Sequence, residues 1–479
     1  MEWGSAITYL GGTSLKNRRV TFGVKDRDRV QQTCVAGKSE EARAAFLTGM
    51  ALQDVARHQG IVVLDLSGQL SEMFVERLPT DACDRLIFLN PANAEYPFSW
   101  NVVKEFRELP EQDGLHLFTR MLQSVYKIPN DPVVEAAAEA ILKGESGTML
   151  SFYELLAENK HSDSKQKAGN ESDFYALRDE APDIVSAVLD NGRYIAKDTM
   201  VRNLLGQPDS KFSLSTLSEG GLVVVDLSEI KVFPTRVTPI VKAFLFASLA
   251  RADSLQTPIG LFLFDCLRYL SEDDLDLFFG SRELAITASD APYTEEDKKL
   301  HEHALSRSGS IVSFAPAQTD APLLERMFYP YVAAEELTGL GESEFVIMLS
   351  IDAIRSRPFF ARALPLPERK SVSCPDLLTE SRAKYTMPRR QVDELFRKKP
   401  APEGEEEKDD SGSFSDAFRS IFAKRAAPSK EPAKTESAGL KPPSPVASPK
   451  PSAKTVQSAD TKKPSEVPED VLKGMLHVD

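Results

Sequence analysis

Seven stretches of this chain, six to thirteen residues long, are each built on a continuous apolar run. They are "GIVVLDLSG" (Gly60–Gly68), "RLIFLN" (Arg85–Asn90), "GLVVVDLS" (Gly221–Ser228), "PIGLFLFDCLRYL" (Pro258–Leu270), "LAITAS" (Leu284–Ser289), "SIVSFAP" (Ser310–Pro316) and "FVIMLSIDA" (Phe345–Ala353). A strand with one wet face alternates apolar and polar residues; a continuous run suits a strand covered on both faces. Helical patterns separate the early runs, as in Ala42–Arg57 with Phe46, Leu47, Met50 and Val55 on one stripe. Strands alternating with helices predict an α/β fold with a mostly parallel sheet. Asp65 and Asn90 each close an apolar run, where such sheets put their ligand-side residues.

The texture divides the 479 residues into blocks. Residues 1–100 form the first part of the α/β core, and 101–212 read as an all-α insertion, as in "DPVVEAAAEAILKG" (Asp131–Gly144). The polar patch Asn159–Asp173 inside it reads as a loose loop. The core resumes over 213–370, and 371–399 read as a helical extension. From 400 to 479 the chain turns rich in Pro, Ala, Ser and Lys, a composition that cannot bury enough apolar surface to repay ordering. Two amphipathic islands interrupt it: Phe414, Phe418, Ile421 and Phe422 share one helical face, and Val471, Leu472, Met475 and Leu476 share another. Both are candidate docking motifs.

Of the formal net charge of −14, nearly all lies before Phe396, since fifteen Lys and Arg face fourteen Asp and Glu after it. An acidic core argues against broad, non-specific nucleic-acid binding, although a local basic pore is compatible with it. Cys34, Cys83, Cys266 and Cys374 are scattered without a C-x-x-C pair, which fits a reduced, cytoplasmic setting. The start "MEWGSAITYLGG" lacks a signal pattern and no apolar run reaches membrane-spanning length. Contact with the inner face of a membrane is therefore expected only through partners.

The stretch "TCVAGKSEEARAAFL" (Thr33–Leu47) reads as strand, polar turn and helix, the setting of a phosphate-binding loop. Such a loop needs G-x-x-x-x-G-K-[ST], whose backbone N–H groups close around phosphate while Lys reaches the terminal phosphates and the hydroxyl holds Mg²⁺. The visible Gly37-Lys38-Ser39 ends no such loop, because Gln32 stands where its first glycine belongs.

An ordered series of landmarks resembles the P-loop ATPase family of bacterial type IV secretion and conjugation coupling proteins (TraG/TraD-like, with FtsK/HerA-type relatives). It runs from "TYLGGTSLKNRRVTFGVKDRDR" (Thr8–Arg29) through "VVLDLSGQL" (Val62–Leu70) and "LIFLNPANAEYPFSWN" (Leu86–Asn101). It continues with "RNLLGQPDSKFSLSTLSEGGLVVVDLS" (Arg202–Ser228), "SIVSFAPAQTDAPLLERMF" (Ser310–Phe328), "RSRPFFARALPLP" (Arg355–Pro367) and "SRAKYTMPRRQVDE" (Ser381–Glu394). The order of these anchors carries the resemblance, over roughly residues 8–396. It implies a RecA-like P-loop NTPase core with ATP and Mg²⁺ as family cofactors, and hexameric rings that move DNA or protein through a secretion channel.

In the frame the resemblance implies, the loop begins at Gly37 and sets Ala42, Arg43 and Ala44 where glycine, lysine and serine or threonine belong. Ala42 adds a Cβ where the loop nears phosphate, and a left-handed backbone there would cost about 1–2 kcal/mol. Arg43 keeps the charge in a bulkier planar fork. Ala44 removes the metal-holding hydroxyl, and Glu40 and Glu41 bring carboxylates to an anion hole. Asp265 falls on the family's Walker B aspartate, and Cys266 replaces the glutamate that activates water. Ser289-Asp290 stands where relatives carry a glutamine that senses the γ-phosphate. Asp65 and Asp265 also have a plain reading as strand-end residues satisfied by backbone amides.

Two further clusters read as surface. His301 and His303, two apart on a helix, point to different faces and so make no metal pair. Lys16, Arg18 and Arg19 read as a solvated turn. Three functions follow: a pseudo-ATPase without cofactor, acting beside copies of itself, an active paralogue or other secretion components; a divergent DNA-translocating ATPase using Lys38 or Arg43; or a platform whose tail islands bind partners.

Overall fold

The computed structural model describes residues 6–15, 18–144, 146–157, 171–252, 258–291, 294–369 and 374–396. Most of the polar patch Asn159–Asp173, residues 400–479 and both tail islands lie outside these residues.

The strands are β1 (Ile7–Leu15), β2 (Arg18–Lys25), β3 (Thr33–Ala36), β4 (Ile61–Asp65), β5 (Leu86–Leu89), β6 (Leu222–Asp226), β7 (Ile259–Phe264), β8 (Leu284–Ser289), β9 (Ser310–Ser313), β10 (Glu344–Met348), β11 (Ser350–Ile351), β12 (Ile354–Arg355) and β13 (Phe359–Ala363). Eleven of them form one sheet in the order β2-β1-β13-β10-β9-β3-β8-β7-β4-β6-β5, and β11 and β12 pair separately as a small hairpin. From β9 to β5 every pairing is parallel, and from β9 outward to β2 every pairing is antiparallel.

Each apolar run is now explained by two faces. Along β4, Ile61 and Val63 enter one core with Phe262 of β7 and Leu47 and Met50 of the helix Glu40–Ala56, whereas Val62 and Leu64 enter the other. Side chains that alternate across a sheet with helices on both sides must all be apolar. The second core continues into the helix Pro234–Ala252 and the helices between Val103 and Leu205.

One buried carboxylate ties the helix Val103–Arg107 to the helix Pro234–Ala252 and to the turn Leu214–Glu219. Glu105 accepts from the indole of Trp100 at 3.0 Å, the backbone N–H of Leu214 at 3.0 Å and Arg251 Nε at 2.6 Å. Trp100 is itself stacked on Phe244 at 4.3 Å between ring centres. After β13 the chain reaches the opposite sheet edge, where Ser381 Oγ bonds the backbone of Phe88 on β5. Among the described residues no helix is long and apolar enough to cross a membrane.

The sequence reading missed the strands β1, β2 and β13. Gly11 shows what built them: a Cβ there would lie 2.7 Å from the carbonyl oxygen of Arg362, so the close pairing of β1 with β13 needs glycine. Lys16 lies outside the described residues, and Arg18 and Arg19 open β2.

Candidate functional site

β3 ends at Ala36, and only Gly37, Lys38 and Ser39 separate it from the helix Glu40–Ala56. Gly37 has φ +154°, and a Cβ on it would stand 2.8 Å from Phe314 Cβ. The Lys38 N–H is held by the carbonyl of Ala315 at 2.9 Å. Ser39 caps the helix by accepting the Ala42 N–H at 3.2 Å, and Glu40 and Glu41 fill the first turn. An N-cap serine and acidic residues at the positive end of the helix dipole both favour starting the helix here.

This start divides the eight-residue frame Gly37–Ala44 into three loop residues and five helical ones. A phosphate loop keeps its N–H groups turned inward toward the anion. Here the Arg43 N–H bonds Ser39 O at 3.2 Å as part of the helix. The expected left-handed strain at Ala42 does not arise, because Ala42 is an ordinary helical residue. Residues 37–44 thus do not form a phosphate-loop conformation. Ala44 is buried in the helix–sheet core, while the side chains of Lys38 and Ser39 are exposed.

Arg43 points from the first turn of this helix across the ends of β7 and β8. Its Nη1 donates to Asp265 Oδ1 at 2.8 Å and to Ser289 Oγ at 2.9 Å, and its guanidinium lies over the Phe264 ring at 4.7 Å. Both ends of the ion pair are out of water, with side-chain exposures of 2% and 8%. Asp265 sits immediately after β7 with φ +57°, a conformation Asp tolerates better than most residues. Its own N–H is fixed by Ser289 O at 2.8 Å.

The neighbours are held closed in the same way. The Cys266 thiol bonds the carbonyls of Leu64 and Phe264, both at 3.4 Å. Burial, helped by the acids Asp65, Asp290 and Asp265, pushes that thiol well above its ordinary range, so it keeps its proton. Asp290 accepts the Leu267 N–H at 3.1 Å and lies 3.6 Å from the Arg268 guanidinium. Burial and then Asp265 push it up to about 7 despite the two arginines. Asp65 faces elsewhere: its oxygens accept the N–H groups of Ser67 at 2.8 Å and Ser71 at 2.7 Å. The strand-end reading therefore describes Asp65, whereas Asp265 is partnered by a side chain.

The fold thus brings Arg43, Asp265, Cys266 and Asp290 together, sets Asp65 beside Cys266 with its oxygens turned to backbone N–H groups, and leaves Lys38 and Ser39 outside that cluster. Sequence reading placed Ser289 only by its family position and missed Phe264 and His301 as members of it. His301 corrects the surface reading: it is buried at 3% exposure, and burial and Arg43 hold it down to about 4. The signal was present, since 301, 304 and 305 form the apolar face of the helix Glu295–Arg307. His303 lies on a different face and bonds Asp276 at 2.7 Å. Gly37, Asp290, His301, Pro316 and Asp320 enclose a crevice of about 10 Å³, room for one water. Among the described residues no group of three or more His, Cys, Asp or Glu is placed to hold a metal ion.

No protein-family model and no curated protein matches this chain. Solved structures do. The plasmid coupling protein TrwB in complex with the non-hydrolysable ATP analogue ADPNP is similar at TM-score 0.50 and 15% identity, over 78% of this chain and 92% of that one. TrwB with ADP and Mg²⁺ gives 0.48 and 14% over 78% and 99%. VirB4 of Thermoanaerobacter pseudethanolicus gives 0.47 and 14% over 77% and 98%. The first of these likenesses, at so low an identity, speaks for the fold alone, and that fold is the RecA-like core of a P-loop NTPase.

Proposed function

We propose that this chain is a pseudo-ATPase of the type IV secretion and conjugation coupling class, a non-catalytic structural or regulatory subunit that works without nucleotide. The observation that carries this reading is the buried ion pair Arg43–Asp265. In the frame implied by the family resemblance, Arg43 replaces the lysine that would meet phosphate and Asp265 the acid that would meet magnesium. Each neutralises the other, so neither is free for its ligand.

The surrounding chemistry supports the same conclusion. Ala44 has no hydroxyl for a metal, and the protonated Cys266 thiol cannot take a proton from water. Pockets that take small molecules measure about 300–1,000 Å³, against the crevice of about 10 Å³ beside Gly37. The residues present therefore do not fit a nucleotide with its magnesium. TrwB has been crystallised with ADPNP and with ADP and Mg²⁺; we infer that this chain keeps the same fold for assembly. Its partners would be copies of itself or an active relative in a ring at the cytoplasmic face of a membrane.

Nucleotide binding decides the matter. A site of 50 µM dissociation constant at 5 mM ATP would add about 2.7 kcal/mol of stability. With about 0.8 kcal/mol/K of unfolding entropy for roughly 390 residues, that is a rise of ~3 °C in melting temperature. The pseudo-ATPase predicts no rise with ATP and Mg²⁺. A rise of that size, with DNA-stimulated hydrolysis abolished by Arg43→Ala, would instead establish a divergent translocase.

A further inference from the structure

Three buried side-chain atoms that have no hydrogen-bond partner among the described residues gather at one place. They are Asp290 Oδ1, His301 Nδ1 and Arg43 Nε. Asp290 stands just past β8, and His301 belongs to the helix Glu295–Arg307. Both residues line the crevice of about 10 Å³ beside Gly37, and they are only 4% and 3% exposed. Arg43 lies against the same glycine: its Cγ is 3.7 Å from where a Gly37 Cβ would stand. Asp290 Oδ1 has Arg268 Nη2 at 3.6 Å, beyond hydrogen-bond distance. A buried polar atom left unpaired costs the fold its whole desolvation, so three around one crevice ask for a common partner.

We propose that the crevice binds one internal water molecule, which bridges Asp290 Oδ1 and His301 Nδ1 and takes the Arg43 Nε proton. The volume admits a single water and nothing larger. The bonding closes with water: it accepts from Arg43 Nε–H, which can only donate, and gives its two protons to Asp290 and His301. Three bonds is the usual number for a buried water. A neutral imidazole suits the accepting role, and burial and Arg43 hold His301 down to about 4. Ions fit less well. A cation would face the Arg43 guanidinium, and among the described residues no group of three or more His, Cys, Asp or Glu is placed to hold a metal. A chloride would face Asp290 and Asp320, which both line the crevice. The bridge ties the helix Glu295–Arg307 to the end of β8 and, through Arg43, to Asp265 and Ser289. That helix then helps to hold the closed cluster without bonding Arg43 directly. The proposal stands apart from the pseudo-ATPase reading, and nucleotide titration does not bear on it.

The test is a water-to-imidazole nuclear Overhauser measurement on the full chain, deuterated except for its histidine rings. Expected is a cross-peak between the solvent resonance and the His301 Hε1 proton, which neighbours Nδ1, with the sign of a long-lived internal water and not of surface hydration. His301→Gln removes the ring and so assigns the peak. Asp290→Asn keeps an acceptor in the same place and should retain the peak, whereas Asp290→Leu should abolish it. If the leucine variant does not fold, the parent and Asp290→Asn still decide. No cross-peak in the parent, or one with the sign of surface hydration, would overturn the proposal. A peak that Asp290→Leu leaves unchanged would overturn it as well, because the water would then not be held by Asp290.

Discussion

Replacing Arg43 by methionine tests the closed site directly. Methionine keeps much of the stem but no charge, so Asp265 loses its 2.8 Å partner while remaining 6% exposed. It is left beside Asp290, itself raised toward neutrality by burial and by Asp265. Removing one member of a buried pair costs about 3–5 kcal/mol, mainly because the other charge stays out of water. With an unfolding entropy near 0.8 kcal/mol/K, the middle of that range lowers the melting temperature by about 5 °C. Asp265→Leu alone strands the guanidinium and should lower it by a similar amount. Arg43→Met with Asp265→Leu removes both charges and should recover most of the loss, since an apolar pair of like volume replaces a buried ion pair at little cost. Scanning fluorimetry of the four proteins gives a coupling energy; single losses of about 4 kcal/mol each and a double loss of about 1–2 kcal/mol put it at about 6–7 kcal/mol. Additive single effects, or an Arg43→Met protein melting within 1 °C of the parent, would refute the idea that this ion pair holds the site closed.

Three other perturbations follow from the same geometry. Asp290 is neutral in the fold below about 7 but ionises near 3.8 when unfolded. Its folded pKa is raised, so its contribution is complete below pH 3.8 and is lost as pH climbs through 7, by up to about 4 kcal/mol. Asp290→Asn should therefore gain stability over the parent in urea at pH 8 relative to pH 5, and a pH-independent difference would count against this. Gly37→Ala drives a Cβ to 2.8 Å from Phe314 at φ +154° and should cost about 1–3 kcal/mol, read as a lowered urea midpoint. Glu105→Leu leaves Arg251, Trp100 and the Leu214 N–H without their shared acceptor; the expected loss is about 3–5 kcal/mol, with hydrogen exchange rising across Val103–Arg107.

Much of the core was legible in the amino-acid sequence because a strand covered on two faces leaves a mark that survives divergence: Ile61–Leu64 must all be apolar. The antiparallel edge was not. In β1 and β2, Gly11 and Gly23 replace the apolar residues a pattern would need, since close approach of neighbouring backbone sets their identity. His301 was hidden by its companion, because "HEH" suggests a surface pair whereas the apolar spacing with Ala304 and Leu305 buries one ring. The loop is the subtler case. In the frame G-x-x-x-x-G-K-[ST] the decisive chemistry falls on positions 42–44, while Ser39-Glu40-Glu41 already hold a complete helix start. A motif frame reports which residues correspond; capping decides where the helix begins.

In the frame the resemblance implies, that helix start also accounts for departures at several positions at once. Once Ser39 caps the helix, Ala42 needs no left-handed backbone, and the missing glycine costs nothing. Glu40 and Glu41 then favour the helix dipole instead of opposing a phosphate. The same early turn aims Arg43 at Asp265, and with Asp265 occupied by a guanidinium, a hydroxyl at 44 would have no metal to hold. Reverting one position alone should therefore be harmful or useless. Arg43→Lys, the change that most resembles repair, leaves a compact ammonium where the planar fork bonded Asp265 and Ser289 and stacked on Phe264. It should melt below the parent by a few degrees and gain no thermal shift from ATP and Mg²⁺. If this single change instead created magnesium-dependent ATP binding, the loop would be a dormant phosphate site and not a helix start, and the argument from capping would fail.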